Sequence, residues 1–307
     1  MKRKISFSIA IFLFPVITFA CDICGCGVGN SYIGLLPDFN KTIMGFRYRY
    51  NSLRTHIGAG GAISYLTTDE TYRTVEAWAG WNISKKFRVM ASIPVNFNEK
   101  INQGDVKRKA GFGDVSATAY YELFNKKQSV FTNKLLVQSL WIGGGIKLPT
   151  GEYTAADKSG GIDNSNLFQL GTGSVDFTAN LMYDIRLQDA GLNINSSYKM
   201  NSANKYDYRY GNKFSLSAQA YYKLRLAKKI SIAPNVGTQY ETANRDKDGA
   251  ALSDVSGGRI LLATSGIEIA IEKIIIGGNY QLPLYQNLAN GFVKADNRCM
   301  LHVSFLF

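Results

Sequence analysis

Apolar and polar residues alternate along most of the chain from residue 41 onward. The clearest example is 175–185, where Phe177 and Leu181 share one face and Asp176 and Asp184 share the other. A period of two predicts β-strands with one apolar face, because successive side chains of a strand point to opposite sides. No segment shows a convincing helical period, so the chain is predicted to be all-β.

Twelve such strands are predicted, separated by segments rich in Gly, Asn, Asp or Lys. They cover residues 42–51, 73–83, 87–97, 112–124, 134–147, 173–185, 189–200, 212–225, 229–243, 258–272, 274–286 and 297–307. Most are about twice as long as the 5–6 residues typical of strands in soluble proteins.

Strands of this length suit a bilayer, which tilted strands of about 9–11 residues cross. In lipid every backbone polar group must be paired within the protein, so the sheet must close on itself. We therefore expect a transmembrane antiparallel up-and-down β-barrel of about twelve strands, with its apolar face toward outer-membrane lipid. A secreted β-sandwich, with the apolar face inside, is the alternative.

The predicted connections alternate between short and long. The short ones, expected as periplasmic turns, are Ser84–Lys86, Asn125–Lys127 and Ala227–Lys229. The long polar ones, expected as external loops, are 56–70, 99–111, 148–166, 201–211 and 244–257. An even number of strands places both termini on one side, here the periplasmic side.

Residues 1–20 have the features of a cleavable export signal. Three cations at residues 2–4 precede an apolar run over 5–17, and Thr18–Ala20 precedes the expected cleavage point. The run is shorter than the roughly 20 apolar residues of a spanning helix. We therefore expect a signal peptide at 1–20, a periplasmic cysteine-rich segment at 21–40 and an outer-membrane barrel at 41–307.

The cysteine-rich segment contains Cys21, Cys24 and Cys26 in a CxxCxC arrangement. Three thiolates could bind a soft metal ion, Cu(I) or Zn(II). A disulfide is an alternative because exported proteins meet an oxidising compartment. Lipidation of Cys21 as the first mature residue is another, and the segment 21–40 is also a candidate plug of the barrel.

A polar lumen is expected on the face opposite the lipid. The candidate lumen-lining residues are Arg47, Arg49, Glu76, Asp114, Asp176, Asp184, Lys223 and Glu241. Side chains of mixed charge are typical of a hydrated pore, although they could also neutralise one another in a closed interior. Twelve strands lie between filled small barrels and open porins, so a narrow or plugged conduit is expected.

Composition excludes several function classes. The chain is 46% hydrophobic and 19% charged, which is too apolar for a disordered protein. Its formal charge is +12, and three of these charges lie in the export signal. No basic and aromatic surface motif indicates nucleic-acid binding. The two histidines, His56 and His302, belong to no recognisable catalytic motif, so we do not expect an enzyme.

Four short sequence motifs, in this order, resemble those of one family. They are Gly111-Phe-Gly-Asp114, Lys147-Leu-Pro-Thr-Gly151, Leu170-Gly-Thr-Gly-Ser-Val-Asp-Phe177, and Pro283-Leu-Tyr-Gln286 with Gly291. From about residue 40 to the end, the chain resembles the outer-membrane transporter-like family named after the meta-pathway of phenol degradation. The resemblance implies a β-barrel channel in the outer membrane for small, often aromatic or hydrophobic compounds. The one cofactor considered from the sequence is the thiolate-bound Cu(I) or Zn(II) ion, and the sequence predicts no oligomeric state.

The same motifs can also be explained by local backbone structure. Gly111, Gly113, Gly171 and Gly173 permit unusual backbone angles or close backbone approach where strands begin. The motifs could therefore simply shape the corners of the barrel. The functional alternative is that Asp114 and Asp176 point inward and form part of the lumen.

Overall fold

The computed structural model describes residues 41–58, 61–130, 134–157, 166–227 and 229–307. These residues form a closed barrel of twelve antiparallel strands. The strands are β1 (Ile43–Thr55), β2 (Thr68–Asn82), β3 (Phe87–Asn102), β4 (Ser116–Val130), β5 (Lys134–Lys147), β6 (Asp176–Leu187), β7 (Ala190–Met200), β8 (Lys213–Tyr222, continued by Leu224–Ala227), β9 (Ile230–Ala243), β10 (Gly258–Ile271), β11 (Ile274–Leu288) and β12 (Arg298–Leu306). No helix in the described part of the chain is long and apolar enough to cross a membrane.

Each strand pairs with the next one in the chain, and the first pairs with the last. The closing pair β1–β12 aligns Ile43 with Leu306 and Arg47 with His302. Because every strand has two neighbours, the barrel leaves no open sheet edge along this cycle. All twelve predicted strands correspond to observed ones, so the predicted fold class is confirmed.

The outward face of the barrel is apolar. Phe46, Val236 and Leu301 are 57%, 62% and 58% exposed, and Trp81 and Phe177 are nearly half exposed. In water such a continuous apolar surface would be unstable, whereas lipid solvates it. The alternative of a soluble sandwich is therefore wrong, because it required these side chains in a dry core.

The two ends of the barrel differ in their connections. At the short-turn end, Ile83–Lys86, Gln188–Asp189 and Glu272–Lys273 connect strands, and β1 begins and β12 ends there. The other end, here called the long-loop end, carries the connections at 56–67, 103–115, 148–175, 201–212, 244–257 and 289–297. A short connection also follows Ala227, as predicted.

The predicted turn at Asn125–Lys127 is wrong. Asn125 pairs with Ser139 and Lys127 with Val137, so β4 continues to Val130. A bulge near Leu123 shifts the register and lets the strand pair onward. Its side chains from Asn125 to Ser129 are exposed, which explains why polar residues typical of turns are tolerated in this strand.

The predicted loop at 99–111 is also wrong. β3 continues to Asn102 and returns through Gln103-Gly104 as a further strand, Asp105–Phe112. Both turn residues have positive φ, at 49° and 92°, which is the two-residue turn that matches strand twist. Across this hairpin Arg108 Nε donates to Glu99 Oε2 at 2.6 Å.

Buried side chains inside the barrel include two apolar clusters and a group of polar residues between them. An upper apolar cluster at the long-loop end consists of Leu53, Tyr72, Leu167, Ala243, Ile260, Leu262, Leu288, Ala289, Val293 and Ala295. A lower apolar cluster at the short-turn end consists of Ile43, Trp78, Met90, Tyr120, Trp141, Met182, Ala233, Ile275 and Leu306. A central polar belt between them includes the buried residues Arg47, Glu76, Asn193, Gln219, Asn235, Thr264, Glu268, Asn279 and His302. Buried polar residues also occur at the levels of the two clusters, since Glu70 lies opposite Leu53, Glu241 opposite Ile260 and Arg88 opposite Tyr120 in the strand register.

Candidate functional site

The connection between β5 and β6 folds into the barrel. Its residues 166–174, here called the inward segment, are buried from Asn166 to Thr172. Leu167 is 3% exposed and belongs to the upper apolar cluster, together with Leu53 of β1 and Ile260 of β10. The inward segment therefore fills the interior at the long-loop end.

Hydrogen bonds from the barrel wall hold the backbone of the inward segment. Asn96 Nδ2 donates to the carbonyl of Leu170 at 2.8 Å, and Asn98 Nδ2 donates to the carbonyl of Gln169 at 2.9 Å. From the connection between β7 and β8, the Tyr210 hydroxyl donates to the carbonyl of Asn166 at 3.0 Å. Buried carbonyl groups must be paired, so these contacts make the inward position of the segment stable.

A buried cluster of two lysines and two aspartates lies beside the inward segment. Lys147 Nζ is 2.6 Å from Asp114 Oδ2 and 2.7 Å from Asp176 Oδ2. Lys199 Nζ is 3.2 Å from Asp176 Oδ2. All four side chains are less than 10% exposed, so the ion pairs are shielded from water. We call these four residues the lysine–aspartate cluster.

Asp114 connects this cluster to both ends of the connection between β5 and β6. Its Oδ1 accepts from the amide of Gly151 at 3.0 Å, and its Oδ2 accepts from the amide and hydroxyl of Thr172 at 2.8 Å and 3.0 Å. A Cβ at Gly171 would lie 2.7 Å from Cα of Gly151, so the two backbones are too close for a side chain. Three of the four sequence motifs, those that contain Asp114, Gly151 and Thr172, therefore meet at one site.

Asp176 joins the same site to the connection between β7 and β8. Its Oδ1 accepts from the Ser174 hydroxyl at 2.9 Å and from the amide of Ser202 at 3.1 Å. The side chain is fully buried. The cluster thus fixes three parts of the chain relative to one another: the start of the β5–β6 connection at Gly151, the end of the inward segment at Thr172 and Ser174, and the loop after β7.

Charged groups in the central polar belt are paired. Glu76 Oε2 lies 3.2 Å from Arg47 Nη1 and 3.3 Å from Arg49 Nη2. Arg298 Nη1 lies 3.1 Å and 3.0 Å from the two carboxylate oxygens of Glu241. Paired charges keep the belt polar while limiting the field that it presents to a solute.

The eight candidate lumen residues fall into five separate places. Arg47, Arg49 and Glu76 form one group, Asp114 and Asp176 belong to the lysine–aspartate cluster, and Glu241 pairs with Arg298. Asp184 Oδ2 accepts from the Tyr221 hydroxyl at 3.2 Å and from Asn193 Nδ2 at 3.4 Å. Lys223 lies at the break in β8, and its amide donates to the carbonyl of Asp189 at 2.7 Å.

Several interior residues were not singled out from the sequence. They are Lys147, Leu167, Lys199, Glu268, Arg298 and His302. Lys147 and Lys199 could have been found from the strand period, because each is the polar residue that ends an inward-facing series. Leu167 lies in a segment without a period and offered no such signal.

The N-terminal thiols Cys21, Cys24 and Cys26 lie outside the described residues. Cys299 is half-buried on the outward face of β12, opposite Tyr50 and Tyr280. Within the described ranges, no three or more His, Cys, Asp and Glu side chains are grouped to hold a metal ion. The thiolate-bound metal stays a prediction.

The sequence matches the model of the family named for the MetA-pathway of phenol degradation over residues 29–263. The chain belongs to this family. Its fold is similar to that of the COG4313 outer membrane channel from Pseudomonas putida F1, with a TM-score of 0.57 and 13% identity over 89% of this chain and 97% of that one. The β domain of the Bordetella autotransporter BrkA gives 0.49 and 12% identity over 86% and 99%. Comparison with curated protein sequences gives no significant match.

The fold, the lipid-facing surface and the family agree on the location of the protein. A closed twelve-stranded barrel with an apolar outer face is typical of an outer-membrane protein, and the barrel fold is shared with a solved outer-membrane protein. This family member is therefore an outer-membrane β-barrel.

Proposed function

We propose that this protein is a passive channel through which small aromatic or apolar solutes cross the outer membrane. The observation that carries the proposal is the closed barrel with an apolar outer face, whose interior combines two apolar clusters with paired charged groups. The name of the family and the channel function of the COG4313 protein support it.

The upper apolar cluster favours uncharged solutes. A charged solute would lose hydration against Leu53, Ile260 and Leu262. The buried carboxylates opposite them, Glu70 and Glu241, already pair with Lys100 and Arg298. An apolar ring pays no such penalty and gains contacts with the three apolar side chains. The upper apolar cluster therefore selects against charged solutes, provided that Leu167 and the inward segment move aside.

The proposal includes an orientation. The long-loop end faces the outside and the short-turn end faces the periplasm, as in bacterial barrels generally. Both ends of the barrel sequence, Ile43 and Leu306, then lie on the periplasmic side after removal of the signal peptide at 1–20. The partners are membrane lipid and the solute itself, and the proposal involves no catalytic step.

Two probes of matched shape test the proposal in intact cells. N-phenyl-1-naphthylamine is uncharged, and 1-anilinonaphthalene-8-sulfonate adds a sulfonate to nearly the same rings. Cells that produce the protein should take up the first probe faster than cells with an empty vector, and the second probe no faster. Unchanged uptake of both would overturn the channel, and equal acceleration of both would overturn the selectivity.

A further inference from the structure

The hairpin of β4 and β5 extends beyond the neighbouring strand β3 at the short-turn end. β3 pairs with β4 only as far as Phe87, which lies opposite Tyr121. One step further, the amide of Glu122 donates to the carbonyl of Lys86 at 2.8 Å. β4 then continues to Val130, and among the described residues this part pairs only with β5. The hairpin therefore has a free strand edge over residues 123–130, here called the free edge.

The free edge presents backbone groups that no strand in the described part of the chain pairs. In an antiparallel strand every second residue directs its N–H and C=O to the same side, so the edge carries a regular row of donors and acceptors. Such a row is a template for a further strand. At about 3.4 Å per residue the edge is roughly 27 Å long, which is enough for a strand of ordinary length. It can therefore accept one extended segment of another chain.

Five exposed lysines surround the free edge. Lys126 and Lys127 belong to the edge strand, and they flank it on both faces because successive side chains of a strand alternate. Lys85 and Lys86 lie in the turn where the free edge begins, and Lys134 begins β5 on the other arm of the hairpin. A group of charges of one sign attracts a partner of the opposite sign and speeds its association.

These charges have no carboxylate partners nearby. Within the described ranges, none of the five lysines forms an ion pair. Lys229, an exposed lysine elsewhere at the same end, contacts Glu272 instead. A carboxylate beside the free edge, Glu122, is buried and accepts from Asn125 Nδ2 at 2.8 Å. The positive charge at the free edge is therefore unbalanced.

We propose that the free edge of β4 binds an extended acidic segment of a second protein, which adds as a strand along residues 123–130 with its carboxylates toward Lys126, Lys127 and the turn at Lys85 and Lys86. In the proposed orientation this end of the barrel lies in the periplasm, so the partner is a periplasmic protein. Docking of this partner is a function in addition to the channel and does not require passage of a solute.

Backbone and charge together favour this partner over two other occupants. A second copy of the hairpin, paired along the same edge, would bring the lysines of the two copies close together, and like charges on neighbouring strands are unfavourable. The phosphate group of an anionic lipid accepts hydrogen bonds but has no donor for the carbonyl groups of the free edge. A peptide backbone donates and accepts, and its glutamate or aspartate side chains neutralise the lysines.

Fluorescence anisotropy of labelled peptides with the purified full-length protein in neutral detergent tests the proposal. The probe is a peptide of four glutamate–valine repeats. One control has four lysine–valine repeats, and the other has four glutamate–proline repeats, which keep the charge but cannot pair as a strand. We expect saturable binding of the glutamate–valine peptide, at least about tenfold tighter than that of either control. Equal binding of the glutamate–proline peptide would show attraction between charges without strand addition and would overturn the proposal.

Two double variants locate the binding. Lys126→Gln with Lys127→Gln should weaken binding of the glutamate–valine peptide roughly threefold to tenfold, because two exposed charges are lost at the free edge. Lys229→Gln with Lys273→Gln removes two exposed lysines elsewhere at the same end. At an ionic strength of about 0.15 M this control should change binding by less than about twofold. Equal weakening by both double variants would overturn the site.

Three further results would assign the free edge or its lysines to something else and would also overturn the proposal. A dimer in light scattering that excludes the peptide would indicate a second copy. Peptide binding that appears only after deletion of residues 21–40 would indicate the amino-terminal segment of the same chain. Loss of bound phosphatidylglycerol without loss of peptide binding, in Lys126→Gln with Lys127→Gln, would indicate lipid. Gel mobility before and after heating shows whether each variant is folded.

Discussion

The Lys147 ammonium lies 2.6 Å from the carboxylate of Asp114, deep inside the barrel. The contact joins the end of β5 to the residue that precedes β4, and Asp114 in turn holds Thr172 of the inward segment. The ion pair therefore controls the position of the chain that fills the long-loop end. Its strength follows from burial, since both side chains are less than 10% exposed.

Replacing Lys147 by Met should destabilise the protein substantially. The change leaves Asp114 without its ammonium partner and removes one of two from Asp176, and breaking a buried pair in this way costs about 3–5 kcal/mol. Denaturant unfolding of the refolded protein in detergent measures the effect.

Lys229→Met is the matched control for that change. Lys229 also contacts a carboxylate, Glu272, but its side chain is 73% exposed. Exposed pairs contribute only about 0–1 kcal/mol. Equal losses for the two variants would show that the buried cluster has no special role.

Gly171→Val should release the inward segment. A Cβ there would lie 2.7 Å from Cα of Gly151, so these two parts of the β5–β6 connection must separate before a larger side chain fits. Limited proteolysis of the folded protein should then cleave within 150–175 faster than in the wild type. Gly144→Val is the control, because the nearest atom to its Cβ would be 4.0 Å away. Cleavage that is unchanged by Gly171→Val would contradict the close contact as the device that holds this segment.

The N-terminal thiols carry a separate prediction about metal. If Cys24 and Cys26 bind Cu(I) or Zn(II), the reduced mature protein should hold one metal ion, and Cys24→Ser with Cys26→Ser should hold none. Metal analysis after dialysis measures this, and Cys299→Ser serves as the control. A reduced wild-type protein without metal would end the hypothesis, and mass spectrometry of the amino terminus would then distinguish a disulfide from lipidation of Cys21.

The strands could be predicted because a strand with one apolar face produces a regular alternation of apolar and polar residues in the sequence. Every strand must place apolar side chains in lipid and other side chains inside, so the alternation persists over the whole barrel. The errors fell at 99–111 and Asn125–Lys127, where strands continue into water. Beyond the lipid the apolar requirement ends, and polar strand and loop sequences look alike.

The interior could be predicted only in part. The inward positions of Arg47, Glu76 and Asp176 follow from strand parity, but their partners depend on which strands are neighbours. Lys147 and Asp114 are 33 positions apart, and no local pattern links them. Leu167 lies in a connection, and its packing against Leu53 depends on the closed barrel.

Passage of solute through the interior is the central claim, and chemical blocking at one position tests it most directly. Thr264 is a buried inward residue of the central polar belt, and Ser265 beside it is exposed on the outward face. Uptake of N-phenyl-1-naphthylamine is measured in cells with Thr264→Cys or Ser265→Cys, before and after treatment with benzyl methanethiosulfonate. Treated wild-type cells control for the native cysteines. We expect a lower uptake rate only for modified Thr264→Cys; an unchanged rate in that variant, with modification confirmed by mass, would contradict passage through the barrel.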